Sequence, residues 1–258
     1  MRINDLVTRT KYGHDIVFKI IKIEKNIAYL QGEVLRLFAD AEISDLRPSN
    51  GGDKIYDIPT FDNLKTSSFM NGKILHIDGD EYYLKKAMAY YKDANISCVG
   101  YYLKEEEMPL NILGLLRKHN PDILVITGHD SFDGKEIRNL SSYRTSKYFV
   151  EAINVARNYQ NSKDALAIIA GACQSNFEGL INAGANFASS PKRENIHLLD
   201  PVILAINLAV TSIDESVNPE IFINQTITKS IGGIQTKGFG RRIYLGGKTY
   251  VNRSERKN

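Results

Sequence analysis

Apolar and polar residues alternate with a period of two along the N-terminal part of the chain, which is typical of short antiparallel strands. Three such stretches, DIVFKIIKI, IAYLQGE and VLRLFADAEISDL, follow one another with short polar connections. The pattern predicts a small β-barrel over residues 1–47. The next residues, 48–72, lose the alternation and begin with the turn-forming stretch PSNGGDK, so we interpret them as a linker.

From residue 73 onward, wholly apolar stretches alternate with amphipathic ones. Four apolar stretches predict buried strands that each precede a helical pattern: KILHID, ISCVGYYL, DILVITG and ALAIIAGAC. NFASS and NIHLLD are candidates for further strands, and the second leads into a helix that Asp200 is expected to cap and Pro201 to start. Apolar strands separated by helices are typical of a parallel sheet covered on both faces. We therefore predict a doubly wound α/β domain over residues 73–232, followed by a basic, glycine-rich tail over residues 233–258.

Composition narrows the class of protein. A chain of 258 residues with 43 % hydrophobic and 24 % charged residues is typical of a soluble globular protein. The net charge of +3 comes from 33 basic against 30 acidic residues, a balance that predicts no nucleic-acid partner. No apolar run reaches the about 18 residues of a membrane span, so we expect a cytoplasmic protein without a membrane partner. Cys98 and Cys173 form neither a disulfide framework nor a zinc-site spacing, and we predict no metal and no other cofactor.

Two predicted strands end in residues that can carry chemistry. DILVIT is followed by Gly128 and His129, and ALAIIA is followed by Gly171, Ala172 and Cys173. Because ligands bind at the carboxyl ends of strands in open parallel sheets, the imidazole and the thiol share one edge if these strands are neighbours. A cysteine attacks as its thiolate, which a nearby imidazole stabilises before it protonates the leaving group. We therefore predict a catalytic pair of Cys173 and His129, with the backbone N–H groups of Gly128 and Cys173 as an oxyanion hole.

Each of these residues also has a structural interpretation. Cysteine is often buried as a small apolar residue, so Cys173 taken alone does not decide between packing and catalysis. Cys98 lies within a strand pattern and is predicted to belong to the core. The remaining histidines lie in positions that favour packing or helix-end roles; they are His14, His76, His119 and His197.

Five motifs together resemble one group of peptidases: VTRTKYGHDIVFKI, RLFADAEISDL, LHIDGD, ITGHD and GACQSNFEGL. The histidine and cysteine at the strand ends are similar to those of the caspase-like cysteine peptidases, including the arginine-specific clostripain and gingipain groups. Nearly the whole chain resembles the YabG family of sporulation-specific cysteine proteases of endospore-forming bacteria.

This resemblance implies a caspase-like fold and a cysteine endopeptidase that cleaves after arginine through a thioester acyl-enzyme. It implies spore coat and cortex-associated proteins as substrates, and a location in the mother-cell cytoplasm at the forming coat. Two departures from the broader caspase-like pattern are visible. Gly128 precedes His129 where the usual order is His-Gly, and Gly171 stands where clostripain-like peptidases place an acidic residue of the specificity pocket.

An arginine-selective pocket is expected to contain a carboxylate, because a planar guanidinium is best held by two parallel hydrogen bonds in a partly desolvated site. Since Gly171 cannot supply it, the resemblance to the gingipains implies the end of the first domain strand, where Asp78 and Asp80 lie. Ser189 and Ser190 would form a pocket wall. Asp80 has an alternative role as the N-cap of the next helix. The next acidic candidates are Glu194, Asp200 and Asp214.

The tail offers a candidate site of self-processing. Arg241 and Arg242 lie among glycines, an accessible context that proteases prefer, so an arginine-specific enzyme is predicted to cut itself there. A solvated basic turn is the alternative interpretation.

Two other functions stay open. Class I glutamine amidotransferases also place a cysteine after a strand, but their histidine follows the cysteine, whereas His129 precedes Cys173. A non-enzymatic spore coat scaffold would use the N-terminal barrel, which resembles SH3-like modules, to bind partners.

Overall fold

The structure is a computed structural model. It describes residues 1–51, 56–61, 69–189 and 191–229, together with three short strands within residues 234–244. Among these residues, an N-terminal all-β part precedes an α/β part, and the predicted α/β class is confirmed. Where the linker and the tail begin stays a prediction.

The N-terminal part is a five-stranded antiparallel sheet. Its strands are β1 (Leu6–Arg9), β2 (Phe18–Glu24), β3 (Ile27–Gly32), β4 (Phe38–Glu42) and β5 (Leu46–Pro48). The order β4-β3-β2-β1-β5 shows that the chain meanders through four strands and then returns to pair with the first. A 3-10 turn over Ile43–Asp45 makes this return possible. The strand order is that of SH3-like barrels, and the inward positions of the strands form a small apolar core of their own.

The central sheet has five parallel strands. They are β7 (Ile74–Asp78), β8 (Cys98–Tyr102), β9 (Ile123–Thr127), β10 (Ala167–Ala170) and β11 (Phe187–Ser189). Their order is β11-β10-β9-β7-β8, and β13 (Ile234–Gln235) adds an antiparallel edge next to β11. The predicted strand NFASS is thus confirmed. NIHLLD is not a strand: within it, only His197 forms a β-bridge, and its partner is Leu35 of the N-terminal part.

Helices cover both faces of the central sheet. They are α1 (Glu81–Asp93), α2 (Met108–His119), α3 (Ser146–Tyr159), α4 (Phe177–Ala183), α5 (Asp200–Val210) and α6 (Pro219–Gln225). One apolar cluster packs α1 and α5 against one face, and a second packs α2, α3 and α4 against the other. Because side chains of a strand alternate between faces, neighbouring apolar residues of β9 belong to different clusters. This explains why the strands are apolar throughout.

The remaining strands are pairs of residues that tie distant segments together. They are β6 (Phe69–Met70), β12 (Ser216–Val217), β14 (Gly238–Phe239) and β15 (Ile243–Tyr244), with β6 paired to β15 and β12 paired to β14.

The helix predicted after NIHLLD is α5; it begins at Asp200, its N-cap is Leu199, and Asp200 makes no side-chain cap. The Asp200 carboxylate instead accepts the Ile227 N–H at 2.9 Å. No helix among the described residues is both long and apolar enough to span a bilayer.

The order of the strands decides where a ligand can bind. The chain proceeds from β7 to β8 on one side and then crosses to β9 on the other side of β7. In an open parallel sheet, the crevice at such a reversal, outside the carboxyl ends of the strands, is the preferred binding site. β9 and β10 are parallel neighbours, so the condition for bringing His129 and Cys173 to one edge is met.

Gly171 ends β10 and sets the path of the chain toward Cys173. Its φ is +116°, and an added Cβ would lie 2.9 Å from Leu180 Cδ1 and 3.3 Å from the Ser189 backbone nitrogen. We expect Gly171→Ala to lower the free energy of unfolding by about 1–3 kcal/mol, measured by urea denaturation, because alanine strains this backbone conformation. Gly114→Ala is the matched control, since its added Cβ meets no atom within 4 Å. It should be neutral or stabilise helix α2 by up to about 1 kcal/mol. Equal effects of the two substitutions would contradict the prediction.

Candidate active site

Cys173 lies in a tight turn between β10 and α4. The Ala172 N–H donates to Ser175 Oγ at 2.8 Å, and Gln174 adopts the left-handed region with a φ of 61°. Such a φ is uncommon for a residue other than glycine, and it marks a turn that its surroundings hold in place. The Cys173 side chain is thereby directed under the edge of the sheet and is only 2 % exposed.

The Cys173 sulfur contacts two segments from outside its own turn. The Ile196 N–H donates to Sγ at 3.3 Å. Burial raises the pKa of the Cys173 thiol above its ordinary value, and the Ile196 N–H together with the guanidinium and backbone N–H of Arg36 offsets only part of this rise. The thiol is therefore protonated at neutral pH in this arrangement, although donors that stabilise a thiolate already surround it.

His129 follows β9 at the neighbouring strand end and is held from several sides. Its Nε2 lies 2.8 Å from Asp80 Oδ2, and its backbone N–H donates to Glu105 Oε1 at 2.8 Å. The ring lies 4.5 Å from the Phe38 ring and 5.6 Å from the Tyr83 ring, measured between centroids. A carboxylate on Nε2 fixes the orientation of the ring and leaves Nδ1 as the nitrogen that can exchange a proton.

A single cavity of about 720 Å³ joins the two predicted catalytic residues. Both Cys173 and His129 line it, together with Arg36, Glu105, Asp130 and Gln174. Among the residues that the structure describes, no group of three or more His, Cys, Asp or Glu side chains is arranged to hold a metal ion. The cavity lining includes the Cys173 thiol, the His129 imidazole and the carboxylates of Glu105 and Asp130.

Asp80 has three partners at once. Its side chain caps α1 by accepting the Tyr82 and Tyr83 N–H groups, which confirms the alternative role as an N-cap. Its Oδ2 also accepts the Gln31 side-chain N–H at 2.7 Å, in addition to the contact with His129. A carboxylate with these partners is well placed to orient the histidine, which is a different role from the predicted binding of a substrate arginine.

Asp78 is fully buried at the end of β7 and is paired with an arginine of the same chain. Arg36 donates to both carboxylate oxygens, at 2.8 Å and 2.6 Å, and Thr127 Oγ1 donates to Oδ2 at 2.9 Å. Burial alone would raise the pKa of Asp78, but the charge of Arg36 and the hydrogen bonds of His76 and Arg36 outweigh it and hold this pKa well below its usual range. Burial lowers the pKa of the neighbouring His76, whose Nε2 lies 2.9 Å from Thr127 Oγ1. Asp78 therefore does bind a guanidinium here, and it belongs to Arg36.

The other predicted site residues are spread more widely. Ser189 is fully buried at the end of β11, next to Gly171, whereas Ser190 lies outside the described residues. Glu194 and Asp214 are exposed, and Asp200 is buried with a pKa that burial raises to about 6. Gly128 is buried beside the Glu105 carboxylate. The oxyanion hole stays a prediction, and the predicted self-cleavage site, Arg241 and Arg242, lies outside the described residues.

Sequence reasoning missed two residues of this site. Arg36 interrupts the apolar stretch VLRLF, and a lone arginine between leucines is the signal that would have pointed to a buried charge. Glu105 belongs to the run of three glutamates before α2, which reads as an ordinary solvated helix start. Burial raises the pKa of Glu105, and only the fold reveals that its carboxylate holds the backbone of His129.

Comparison with known proteins agrees with the motifs. A family model described as YabG peptidase U57 matches residues 2–59 and 59–244. The chain belongs to the YabG peptidase family. A relative in this family, the "Sporulation-specific protease YabG" of Bacillus subtilis (strain 168), is 39% identical over 276 residues, covering 92% of this chain and 95% of the relative. The YabG match includes the N-terminal sheet as well as the central one, and membership of a peptidase family favours the peptidase over the scaffold and the amidotransferase.

His197 links the pH dependence of stability to the segment that contacts Cys173. Burial lowers its pKa to about 3, so the folded protein keeps the ring neutral where an unfolded chain would protonate it. The stabilisation is complete above the ordinary histidine pKa of about 6.5 and falls as the pH drops from there toward 3.

Asparagine can replace this residue because its Oδ1 can accept the Leu199 N–H that His197 Nδ1 accepts at 3.1 Å. Between about pH 7 and pH 4.5, we expect the wild type to lose about 2–3 kcal/mol more unfolding free energy than His197→Asn. Urea denaturation at both pH values measures this difference. Asp200 has the opposite pH dependence but is present in both proteins, so it cancels in the comparison. Parallel losses in both proteins would refute the prediction.

Proposed function

We propose that this protein is a cysteine endopeptidase that cleaves after arginine, with Cys173 as the nucleophile and His129 as the general base and acid. One observation carries the proposal: the two residues follow adjacent parallel strands, β10 and β9, and line the same cavity. Asp80, whose Oδ2 lies 2.8 Å from His129 Nε2, adds the third group that orients a catalytic base. The peptidase family of the chain supports the reaction class.

The proposed reaction has two halves. In the first, His129 takes the Cys173 proton, and the thiolate attacks the carbonyl carbon of the substrate arginine. A carbon–sulfur bond forms, the peptide carbon–nitrogen bond breaks, and His129 gives its proton to the departing amine. In the second, His129 takes a proton from water and the resulting hydroxide attacks the thioester carbon. A carbon–oxygen bond forms, the carbon–sulfur bond breaks, and His129 returns its proton to the Cys173 sulfur. The backbone N–H groups of Gly128 and Cys173 are proposed to stabilise the oxyanion in both halves.

Selectivity for arginine is assigned to Asp78. A buried carboxylate with both oxygens presented side by side matches the fork of a guanidinium, and Arg36 already makes this pair at 2.8 Å and 2.6 Å. Asp80 is instead assigned to orient His129, because its oxygens are occupied by the helix N-terminus, Gln31 and the imidazole. Ser189, whose buried hydroxyl has no hydrogen-bond partner among the described residues, is kept as a pocket wall.

The biological setting is proposed from the family. The Bacillus relative is named a sporulation-specific protease, and we extend that role to this chain. Its substrates are proposed to be spore coat and cortex-associated proteins, and its location the mother-cell cytoplasm at the forming coat. No nucleic acid, metal or other cofactor has a part in the proposed reaction.

Cys173→Ala tests the nucleophile directly. Cleavage of a peptide with a single arginine should fall at least about a thousandfold, because no other group can form the acyl-enzyme. Cys98→Ala is the matched control, since Cys98 lies in β8 with its sulfur 3.8 Å from the Met88 sulfur and outside the cavity. It should cleave like the wild type. Full activity of Cys173→Ala would contradict the proposal. The same peptide with glutamine in place of arginine tests the selectivity of the wild type for arginine.

Asp80→Asn separates the two roles considered for this residue. Asparagine caps a helix as well as aspartate, so the fold should be retained. Loss of the carboxylate behind His129 should lower kcat by about a hundredfold or more on every substrate that is cleaved, with little change in KM for arginine peptides. Asp133→Asn, on an exposed turn, is the control. A variant that keeps its kcat but shows a raised KM for arginine peptides alone would instead place Asp80 in the arginine pocket.

A further inference from the structure

The connection between β3 and β4 leaves the N-terminal sheet and enters the cleft of the central one. We call residues 33–37 the inserted loop. Val34 is 4 % exposed and packs in the apolar cluster beneath α1 and α5, and Arg36 is 2 % exposed although it carries a full charge. A hairpin connection is ordinarily a surface feature, so this depth of burial requires a specific partner for the arginine.

Three kinds of group surround the guanidinium of Arg36. Its two terminal nitrogens bind the two oxygens of Asp78, and one of them lies 3.5 Å from Thr127 Oγ1. Its guanidinium carbon lies 4.8 Å from the centre of the Tyr83 ring, close enough for a cation–π contact. A forked carboxylate, a hydroxyl and an aromatic face thus hold the end of the guanidinium, whereas the buried Arg36 Nε has no hydrogen-bond partner among the described residues.

The backbone of the inserted loop also lies where a bound peptide would lie. The Leu198 N–H donates to the Val34 carbonyl at 2.8 Å, and Leu35 forms an antiparallel bridge with His197. Pairing of an extended peptide with a strand-like edge is a common mode of peptide recognition. The same edge continues to Ile196, whose N–H donates to the Cys173 sulfur at 3.3 Å. The loop therefore approaches the nucleophile along the segment that supports it.

At Arg36 the chain turns back instead of continuing through the cleft. The Leu37 N–H donates to the Leu35 carbonyl at 2.8 Å, which closes a three-residue turn around Arg36. The Gly32 N–H donates to the Leu37 carbonyl at 2.8 Å and returns the chain to β4. The Arg36 side chain thus reaches Asp78, while the backbone after it turns back and is not extended.

We propose that the inserted loop is an internal pseudo-substrate: Arg36 occupies the arginine pocket of Asp78, and the loop withdraws before the arginine of a protein substrate enters. The inference rests on the proposed function, because it takes Asp78 as the pocket acid. It also accounts for part of the burial of Cys173, because the backbone N–H of Arg36 contacts the sulfur. The enzyme described here is then a self-blocked form, and the occupant of its specificity pocket is its own chain.

Labelling of Cys173 by active-site probes tests this without a protein substrate. Two peptidyl chloromethyl ketones are compared, one with arginine and one with norleucine before the reactive group. If the open form amounts to about 1–10 % of the wild type, Arg36→Ala should react with the arginine probe about 10–100 times faster than the wild type. The ratio of arginine to norleucine labelling should rise with it, because the emptied pocket accepts a guanidinium and not an alkyl chain.

Two further variants complete the experiment. Arg36→Lys keeps one positive charge beside Asp78 but cannot make the forked pair, so it should fold even if Arg36→Ala does not, and should also react faster than the wild type. Arg47→Ala is the matched control, because Arg47 is exposed in the same sheet and donates to the Ser44 and Leu46 carbonyls. It should label at the wild-type rate with both probes, and circular dichroism establishes that each variant is folded.

The contrary outcomes are distinct. If folded Arg36→Ala and Arg36→Lys react with the arginine probe no faster than the wild type, Arg36 is a permanent structural ion pair and the inference is wrong while the proposed function stands. If the Arg36 variants are labelled faster than the wild type by the same factor with both probes, the loop covers Cys173 without filling the arginine pocket. That result also overturns the inference. If no protein, the wild type included, prefers arginine to norleucine, the proposed specificity itself fails and the inference with it.

Discussion

The ion pair between Arg36 and Asp78 is the interaction on which the arrangement of this protein depends. Both side chains are almost completely removed from solvent, so each charge is tolerable only because the other is present. The pair joins a loop of the N-terminal sheet to the end of the first strand of the central sheet. In this form it contributes to how the two sheets meet, and Arg36 lines one side of the cavity that contains Cys173 and His129.

Asp80 connects that junction to the start of α1 and to His129. One carboxylate caps α1, orients His129 and accepts from Gln31 of the N-terminal sheet. Tyr83 of the same helix has its hydroxyl 2.6 Å from the Gly32 carbonyl and 2.9 Å from that of Leu35. The start of α1 thus contacts the proposed general base, the residue before the inserted loop and the middle residue of that loop. A displacement of the inserted loop would therefore change the contacts of α1 and, through Asp80, the orientation of the His129 ring. Access to the pocket and the geometry of catalysis are coupled in this way.

The sequence allowed the central sheet and its catalytic edge to be predicted, because those features follow from local patterns. Apolar strands alternating with amphipathic helices specify a covered parallel sheet, and residues just after such strands converge at one edge. His129 and Cys173 were found in this way, whereas Asp78 and Asp80 were proposed from the resemblance to the gingipains. The N-cap of Asp80 followed from the preference of aspartate for that position.

What the sequence could not show is pairing between distant segments. Arg36 and Asp78 are 42 positions apart, and the lone arginine within VLRLF indicates a buried charge without indicating its partner. The stretch NIHLLD was predicted as a strand because its composition is apolar. In the structure it instead bridges Leu35 and contacts the Cys173 sulfur. Local periodicity reports which residues are buried, whereas the partner of a buried charge is set by the tertiary fold.

The most direct measurement is a crystal structure of the protein with Cys173 covalently modified by an arginine chloromethyl ketone. We expect the inhibitor guanidinium to make the forked pair with Asp78, the Arg36 side chain to be displaced from the pocket, and the His129 ring to stay on Asp80. An inhibitor bound at Cys173 with its guanidinium elsewhere, while Arg36 still binds Asp78, would contradict the central claim that one pocket serves both arginines.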